Sequence, residues 1–265
     1  MYPFKYQKAA TVRGAVSLLK KAEEPKLLAG GHTLLPTMKQ RLASPKTLID
    51  LSAAGLSGIE QKGRSIVIGA MTTHAEVANS PVVQQAIPAL AKLAGHIGDP
   101  QVRHRGTIGG SVANNDPAAD YPAALMALGA VVHTSKRKIP AEEFFAGMFS
   151  TALDEDEIIT KVAFPIPSKA AYVKFPNPAS RYAIVGVFVA KKGSNVRVAV
   201  TGAGSNGVFR HEAMEQALAK RFNPKSLEGI ATPAADMNGD IHASADYRAH
   251  LVGVIARRAV AAATA

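Results

Sequence analysis

Two short glycine-rich runs, Ala29-Gly30-Gly31-His32-Thr33 and Thr107-Ile108-Gly109-Gly110-Ser111, constrain this chain more than any other feature. Glycine lets the main chain take left-handed turns and lets peptide N–H groups approach a ligand closely. Successive N–H groups in such a turn form a concave seat for phosphate oxygens. Each run also ends in a hydroxyl side chain, Thr33 or Ser111. Two such seats suit a diphosphate. The first run follows Leu27-Leu28 and precedes Leu34-Leu35-Pro36, so it reads as a strand, a tight loop and a helix start, and a helix start also favours negative charge. Neither run matches Gly-x-x-x-x-Gly-Lys-Ser/Thr or Gly-x-Gly-x-x-Gly, which weighs against P-loop NTPases and Rossmann dehydrogenases. Taken singly, either run is as well explained as an ordinary connection. Their co-occurrence is what asks for a ligand.

Several chemistries are excluded by residue usage. The chain has no cysteine, so it holds no disulfide, thiol nucleophile or cysteine-ligated iron–sulfur cluster. Its eight histidines form no His-Glu-x-x-His or other close ligand pair, and no metal site is expected. A redox centre, if there is one, is then organic. The net charge of +11 is spread in ones and twos, the tightest groups being Arg103-His104-Arg105 and Lys136-Arg137-Lys138. Neither group is interleaved with aromatics for base stacking, so an anionic cofactor and an acidic partner surface account for the excess better than nucleic acid does. No apolar run reaches membrane-spanning length and the Met1-Tyr2-Pro3-Phe4-Lys5 start lacks a signal-peptide core, so the cytoplasm is the expected address.

With 265 residues, 47% of them hydrophobic, the chain can bury a sizeable core. Helix and strand signals alternate in its first part. Val12, Ala15, Val16 and Leu19 fall at helical spacing behind a Thr11 cap, and Thr47-Leu48-Ile49-Asp50-Leu51 reads as a strand, giving a small α/β unit to about Gly55. Beyond it, strand Ile66-Val67-Ile68 leads to the capping box Thr73-His74-Ala75-Glu76, and Pro81 opens one long apolar-faced helix that Gly95 closes. The segment Phe164-Pro165-Ile166-Pro167-Ser168 is the best boundary, because its prolines prevent a continued helix or central strand. The expected division is 1–166, with subdomains of about 1–55 and 56–166, then 167–265. In the last part Ala183–Val189 and Val196–Val200 read as paired strands, Glu212–Lys220 and Tyr247–Val260 as helices, and the Ala259–Ala265 tail as a frayed end.

Three further stretches make the pattern specific: Arg105-Gly106 ahead of the second run with Val112-Ala113-Asn114 behind it, then Asp120-Tyr121-Pro122-Ala123-Ala124-Leu125. Later echoes are Asp156-Glu157-Ile158-Ile159, Ala183-Ile184-Val185-Gly186-Val187, Asp246-Tyr247-Arg248 and Arg257-Arg258. With these the chain, over nearly its whole length, resembles the FAD-binding medium subunits of the molybdenum hydroxylases, the xanthine dehydrogenase family. The likeness is greatest to the medium subunits of aerobic carbon monoxide dehydrogenases. The resemblance implies an α+β chain. Its FAD-binding fold of two subdomains, of the PCMH or vanillyl-alcohol-oxidase type, is followed by a smaller α+β C-terminal domain.

It also implies that FAD lies extended between the two N-terminal subdomains with its diphosphate on both glycine runs. The cofactor positions are then Ala29, Gly30, Gly31, His32 and Thr33, with Thr107, Ile108, Gly109, Gly110 and Ser111. Asn114 and Asp120 match positions whose side chains help hold the cofactor, Asp120 as an acceptor for sugar hydroxyls; capping of the following helix is the other reading of Asp120. Ile159 and Lys174 match positions that reach the flavin ring, one by main chain and one by side chain. A lysine there stabilises negative charge on reduced flavin, while a solvated strand lysine is the competing reading. Tyr182 is a candidate to cover the ring face. No catalytic acid, base or nucleophile is expected. In the family a large molybdenum-cofactor subunit oxidises the substrate and a small subunit with two [2Fe–2S] clusters relays electrons to the FAD, typically in a dimer of heterotrimers. Two alternatives stay open from the residues: a self-contained FAD-dependent oxidoreductase of the same fold, and a non-enzymatic nucleotide-binding module.

Overall fold

The computed structural model describes the whole chain, residues 1–265. Its first sheet has three parallel strands, with Thr47–Asp50 between Lys5–Lys8 and Pro25–Leu28. The central strand is buried at every position, and so carries Leu48 and Ile49 without polar alternation. The Val12–Lys21 helix begins where the Thr11 side chain accepts the Gly14 N–H at 3.0 Å. The Leu34–Lys39 helix follows the first glycine run.

The second sheet has five antiparallel strands, ordered Ile59–Lys62, Ser65–Gly69, Ile159–Pro165, Val131–Thr134 and Lys138–Pro140. Six helices lie between its second strand and Val131, and the apolar side chains of this group form the largest core of the molecule, around Ile66, Leu90, Tyr121, Val132 and Phe164. The capping box forms as expected: the Thr73 hydroxyl accepts the Glu76 N–H and the Glu76 carboxylate accepts the Thr73 N–H at 2.7 Å. The single helix expected from Pro81 to Gly95 is two, Pro81–Ala86 and Pro88–Gly95. Pro88 has no N–H to continue the ladder and forces Ile87 out of helical geometry (φ −141°, ψ 69°), so the chain restarts with Pro88 at its first helical position. The apolar periodity of the sequence runs through this break without recording it.

After the strand Ile159–Pro165 the chain leaves the second sheet and enters a third, of four antiparallel strands: Lys169–Pro176, Ala183–Lys192, Asn195–Thr201 and Phe209–Arg210. Both faces of this sheet are covered. Val185, Val187, Val189, Val198 and Val200 pack beneath the Glu212–Lys220 and Ala245–Thr264 helices. The alternate residues Tyr172, Phe188, Ala190 and Ala199 join the core of the preceding group. The expected frayed tail is helix as far as Thr264, because Ala259 and Val260 are fully buried against this sheet. No helix is long and apolar enough to cross a membrane.

Candidate functional site

The two glycine runs meet. A Cβ on Gly30 would lie 2.0 Å from the Arg105 carbonyl oxygen and 2.9 Å from the Gly106 Cα, and one on Gly110 would lie 3.6 Å from the Ala29 Cβ. Contact this close is open only to glycine at position 30. Gly31 adopts φ +76°, a left-handed turn that redirects the chain into the Leu34–Lys39 helix.

The runs differ in what their main chain offers. In the first, the N–H groups of Ala29, Gly30, Gly31, His32, Thr33 and Leu34 have no acceptor in the chain. Consecutive free N–H groups are what the phosphate seat expected from the sequence requires. In the second, Ile108 donates to Thr72 at 3.0 Å, Gly109 to Ala70 at 2.8 Å, Gly110 to the Thr107 hydroxyl at 3.2 Å and Ser111 to the Thr107 carbonyl at 3.0 Å. A second seat made of consecutive free N–H groups is therefore not present. The second run is a capped helix start, Ile108–Asn114, that leaves the Thr107 N–H and the Ser111 and Asn114 side chains available. Its glycines serve close packing: a Cβ on Gly109 would lie 2.6 Å from the Ala70 Cβ.

A cavity of about 350 Å³ opens beside the runs, lined by Ala29, Gly30, Arg105 and Thr107 on one side and by Tyr6 and Asp50 on another. The Arg105 side chain is exposed and pairs with no carboxylate, so its charge is free for an anion. Asp50 is held ionised: burial opposes its charge, but the Tyr6 hydroxyl and the Ser52 N–H and hydroxyl, at 2.8 and 2.9 Å, outweigh that and lower its pKa. Below the runs lies His74, whose Nδ1 is sealed without a partner and whose Nε2 would be 2.6 Å from a Cβ on Gly106. Burial, with His32 and Arg103 nearby, lowers its pKa to about 4, so the ring is neutral near pH 7. His32 itself is exposed on the first run.

The Ile108–Asn114 helix, about 10 Å long at 1.5 Å per residue, leads from the glycine runs toward a second polar cluster. Asp120 is not a cap: it lies at the start of the Tyr121–Leu128 helix, yet its carboxylate takes no helix N–H. It turns instead to the third sheet, where the Lys174 Nζ is 2.9 Å from its Oδ1 and the Tyr172 hydroxyl also donates to it. The side chains of Asp120 and Lys174 are each only 4% exposed, which removes the solvated-lysine reading. Lys174 also donates to the His96 carbonyl at 2.9 Å. Burial pushes the Asp120 carboxyl up from the ordinary range, opposed by Lys174 and by the Tyr172 hydrogen bond. Tyr182 is half-exposed, its phenol is pushed up by partial burial and by the charges of Asp116 and Asp120, and the N–H of the next residue, Ala183, donates to the Ala118 carbonyl at 3.4 Å. Ile159 is buried in the strand next to the second run: the carbonyl of Thr160 accepts the Ala70 N–H, and Ala70 in turn accepts from Gly109. Tyr172 and Asp50 carry no motif that marks them as site residues, and Arg105 is marked only by the Arg105-Gly106 stretch, with no role attached to its side chain. Tyr172 lies two residues from Lys174 on one strand face, which is the signal that points to it.

A free run of N–H donors, an unpaired guanidinium and a distant buried lysine together fit an elongated anionic ligand such as FAD. Comparison with known families agrees. Residues 2–167 match the FAD-binding domain of molybdopterin dehydrogenases, and residues 170–263 match the C-terminal domain of carbon monoxide dehydrogenase flavoproteins. The chain belongs to the FAD-binding medium subunits of the molybdenum hydroxylases. It is 37% identical to the carbon monoxide dehydrogenase medium chain of Hydrogenophaga pseudoflava, over 99% of this chain and 97% of that protein. It is 36% identical to the nicotine 6-hydroxylase medium subunit of Paenarthrobacter nicotinovorans, over 97% and 95% respectively. Among solved structures it is similar to carbon monoxide dehydrogenase from Hydrogenophaga pseudoflava, with a TM-score of 0.87 over 99% of this chain and 98% of that one, at 35% identity. This medium subunit is therefore an FAD-binding oxidoreductase component with the two-part flavin-binding fold and C-terminal domain of its family.

Proposed function

We propose that this medium subunit holds one FAD, receives electrons from the [2Fe–2S] clusters of a small partner subunit and passes them to an external acceptor. A large subunit with the molybdenum cofactor would oxidise the substrate, and the assembly would be a cytoplasmic dimer of heterotrimers. The observation that carries the reading is the uninterrupted run of free N–H groups from Ala29 to Leu34 set against Arg105 and Thr107. In this reading that run and Arg105 bind the diphosphate, with Ser111 and Asn114 adding side-chain donors. Ile159 and the Asp120–Lys174 pair bound the flavin end, with Tyr182 beside it. When bound, FAD supplies a carrier that takes electrons singly from iron–sulfur donors and releases them in pairs. The chain's own groups bind, orient and tune it.

Substrate chemistry belongs elsewhere in the complex. Relatives named for carbon monoxide and for nicotine are almost equally similar to this chain, as expected if the substrate is recognised by another subunit. The absence of cysteine requires the clusters to come from a partner.

Co-expression with candidate small and large subunits, followed by size exclusion and flavin, iron and molybdenum analysis, tests the assembly. Co-elution with one flavin per medium subunit is expected. A chain that ignores both partners and turns over a substrate of its own refutes it in favour of a self-contained flavoenzyme. The flavin end is tested by Lys174→Met, which should lower the midpoint potential of the bound flavin.

A further inference from the structure

Gly186 occupies the interior of the Ala183–Lys192 strand, where glycine weakens a sheet and needs a separate reason. Its φ is not left-handed, so conformation is not that reason. The reason is steric. A Cβ there would lie 2.4 Å from the Tyr172 hydroxyl and 3.0 Å from the Thr201 Cγ2. Gly186 is also the register partner of Lys174, one strand across. The space it leaves lets the Tyr172 phenol, itself 1% exposed, reach Asp120.

The same sheet grips the main chain that carries Asp120. The Thr201 hydroxyl lies 2.6 Å from the Ala119 carbonyl and 3.1 Å from the Pro117 carbonyl, and the Gly202 N–H donates to Pro117 at 2.8 Å. Asp120 is thus fixed twice, by its backbone and by its carboxylate. Lys174 faces both oxygens of the Asp120 carboxylate, at 2.9 and 3.2 Å, and the His96 carbonyl at 2.9 Å.

We propose that Tyr172, admitted by Gly186, is a positioning residue that sets how much of the Lys174 charge is neutralised by Asp120 and how much is felt by the bound flavin. This rests on the reading above that Lys174 adjoins the flavin ring. A hydroxyl donating to a carboxylate draws part of its charge away from a competing ammonium. With Tyr172 in place, Lys174 keeps more of its field for an electron-rich reduced flavin. Without it, the carboxylate settles wholly on the lysine.

The test is a redox titration of the FAD-loaded protein with indicator dyes. Tyr172→Phe should lower the preference for reduced over oxidised flavin three- to tenfold, and tenfold corresponds to about 30 mV for a two-electron couple. Thermal unfolding of the flavin-free form should move little, because Asp120 keeps Lys174. A fluorinated tyrosine placed at position 172 by codon suppression keeps the shape and makes a stronger donor, so it should shift the preference the opposite way; it also serves if the phenylalanine variant folds poorly. Lys174→Met separates the two readings. If it moves the potential while neither change at Tyr172 does, or if Tyr172→Phe moves it upward, the positioning role is overturned and the flavin-end reading stands. If Lys174→Met moves nothing, both fall.

Discussion

Gly30→Ala tests the meeting of the two glycine runs most directly. An alanine Cβ at this position would lie 2.0 Å from the Arg105 carbonyl oxygen, 2.7 Å from its carbon and 2.9 Å from the Gly106 Cα. All three are main-chain atoms, so no side-chain rotation relieves the clash, and the runs must part by about 1 Å to restore ordinary contact distances. Overpacking of this kind costs about 1–3 kcal/mol of stability. The same displacement moves the N–H groups of Gly30 and its neighbours relative to Arg105 and Thr107. Hydrogen bonds to a charged group contribute about 1.5–3 kcal/mol each, so misplacing one or two weakens FAD by about 3 kcal/mol, roughly 150-fold. Titration of flavin-free protein with FAD, followed by flavin fluorescence, reads the affinity, and thermal unfolding of the same sample reads the fold. Gly95→Ala is the control, since a Cβ there meets only the Ala78 Cβ at 3.8 Å. A folded Gly30→Ala protein that binds FAD within threefold of the native affinity would refute the assignment of this run to the diphosphate.

Gly109→Ala, which drives a methyl to 2.6 Å from the Ala70 Cβ and 2.7 Å from its carbonyl oxygen, should cost about 1–3 kcal/mol in urea unfolding, whereas Gly95→Ala, whose methyl meets only the Ala78 Cβ at 3.8 Å, should stay near native. Equal costs would contradict the packing role given to Gly109. Asp120→Asn leaves the Lys174 ammonium buried without its counter-charge and should destabilise by about 3–5 kcal/mol, with much of that regained on adding Lys174→Met; no recovery in the double variant would rule out the ion pair as the cause. His74 is held neutral by burial, with a folded pKa near 4 against 6.5 for the free side chain. The unfolded chain therefore binds the proton first, and stability should fall as pH drops from about 6.5 toward 4, a slope that His74→Leu removes. Glu157 behaves as a depressed acid: burial opposes its charge, but Arg137, the Thr134 hydroxyl and the Asp154 N–H outweigh that and hold its pKa at about 2. Its contribution, about 2 kcal/mol, should be complete above pH 4.5 and be lost as pH falls toward 2. An unchanged acid-unfolding profile in Glu157→Gln would count against it.

Local signals in the sequence carried far. Thr11, the Thr73–Glu76 box and the strand at Thr47 were legible because a cap or a strand depends on residues within a turn or two of itself. The first glycine run was legible for the same reason: its turn is local, and nothing distant takes its N–H groups. The break at Pro88 was written in the sequence too, but the apolar spacing on either side masked it, since a periodic face does not require one continuous helix.

The sequence by itself determined that the chain has two glycine turns, a run of capped helices, three groups of strands and no cysteine to ligate an iron–sulfur cluster. It determined the family as well, through motifs whose order is specific. Only the tertiary structure decided that the two runs touch, with Gly30 seated on Arg105, and that the N–H groups of the second run are taken by Ala70 and Thr72. It likewise decided that Asp120 turns from its own helix to Lys174, 54 residues away, and that Gly186 is small for the sake of Tyr172. A residue's type and its near neighbours fix what it can donate or accept. Which partner receives that bond, and whether water is there to compete, depends on which distant segments the folded core brings against it.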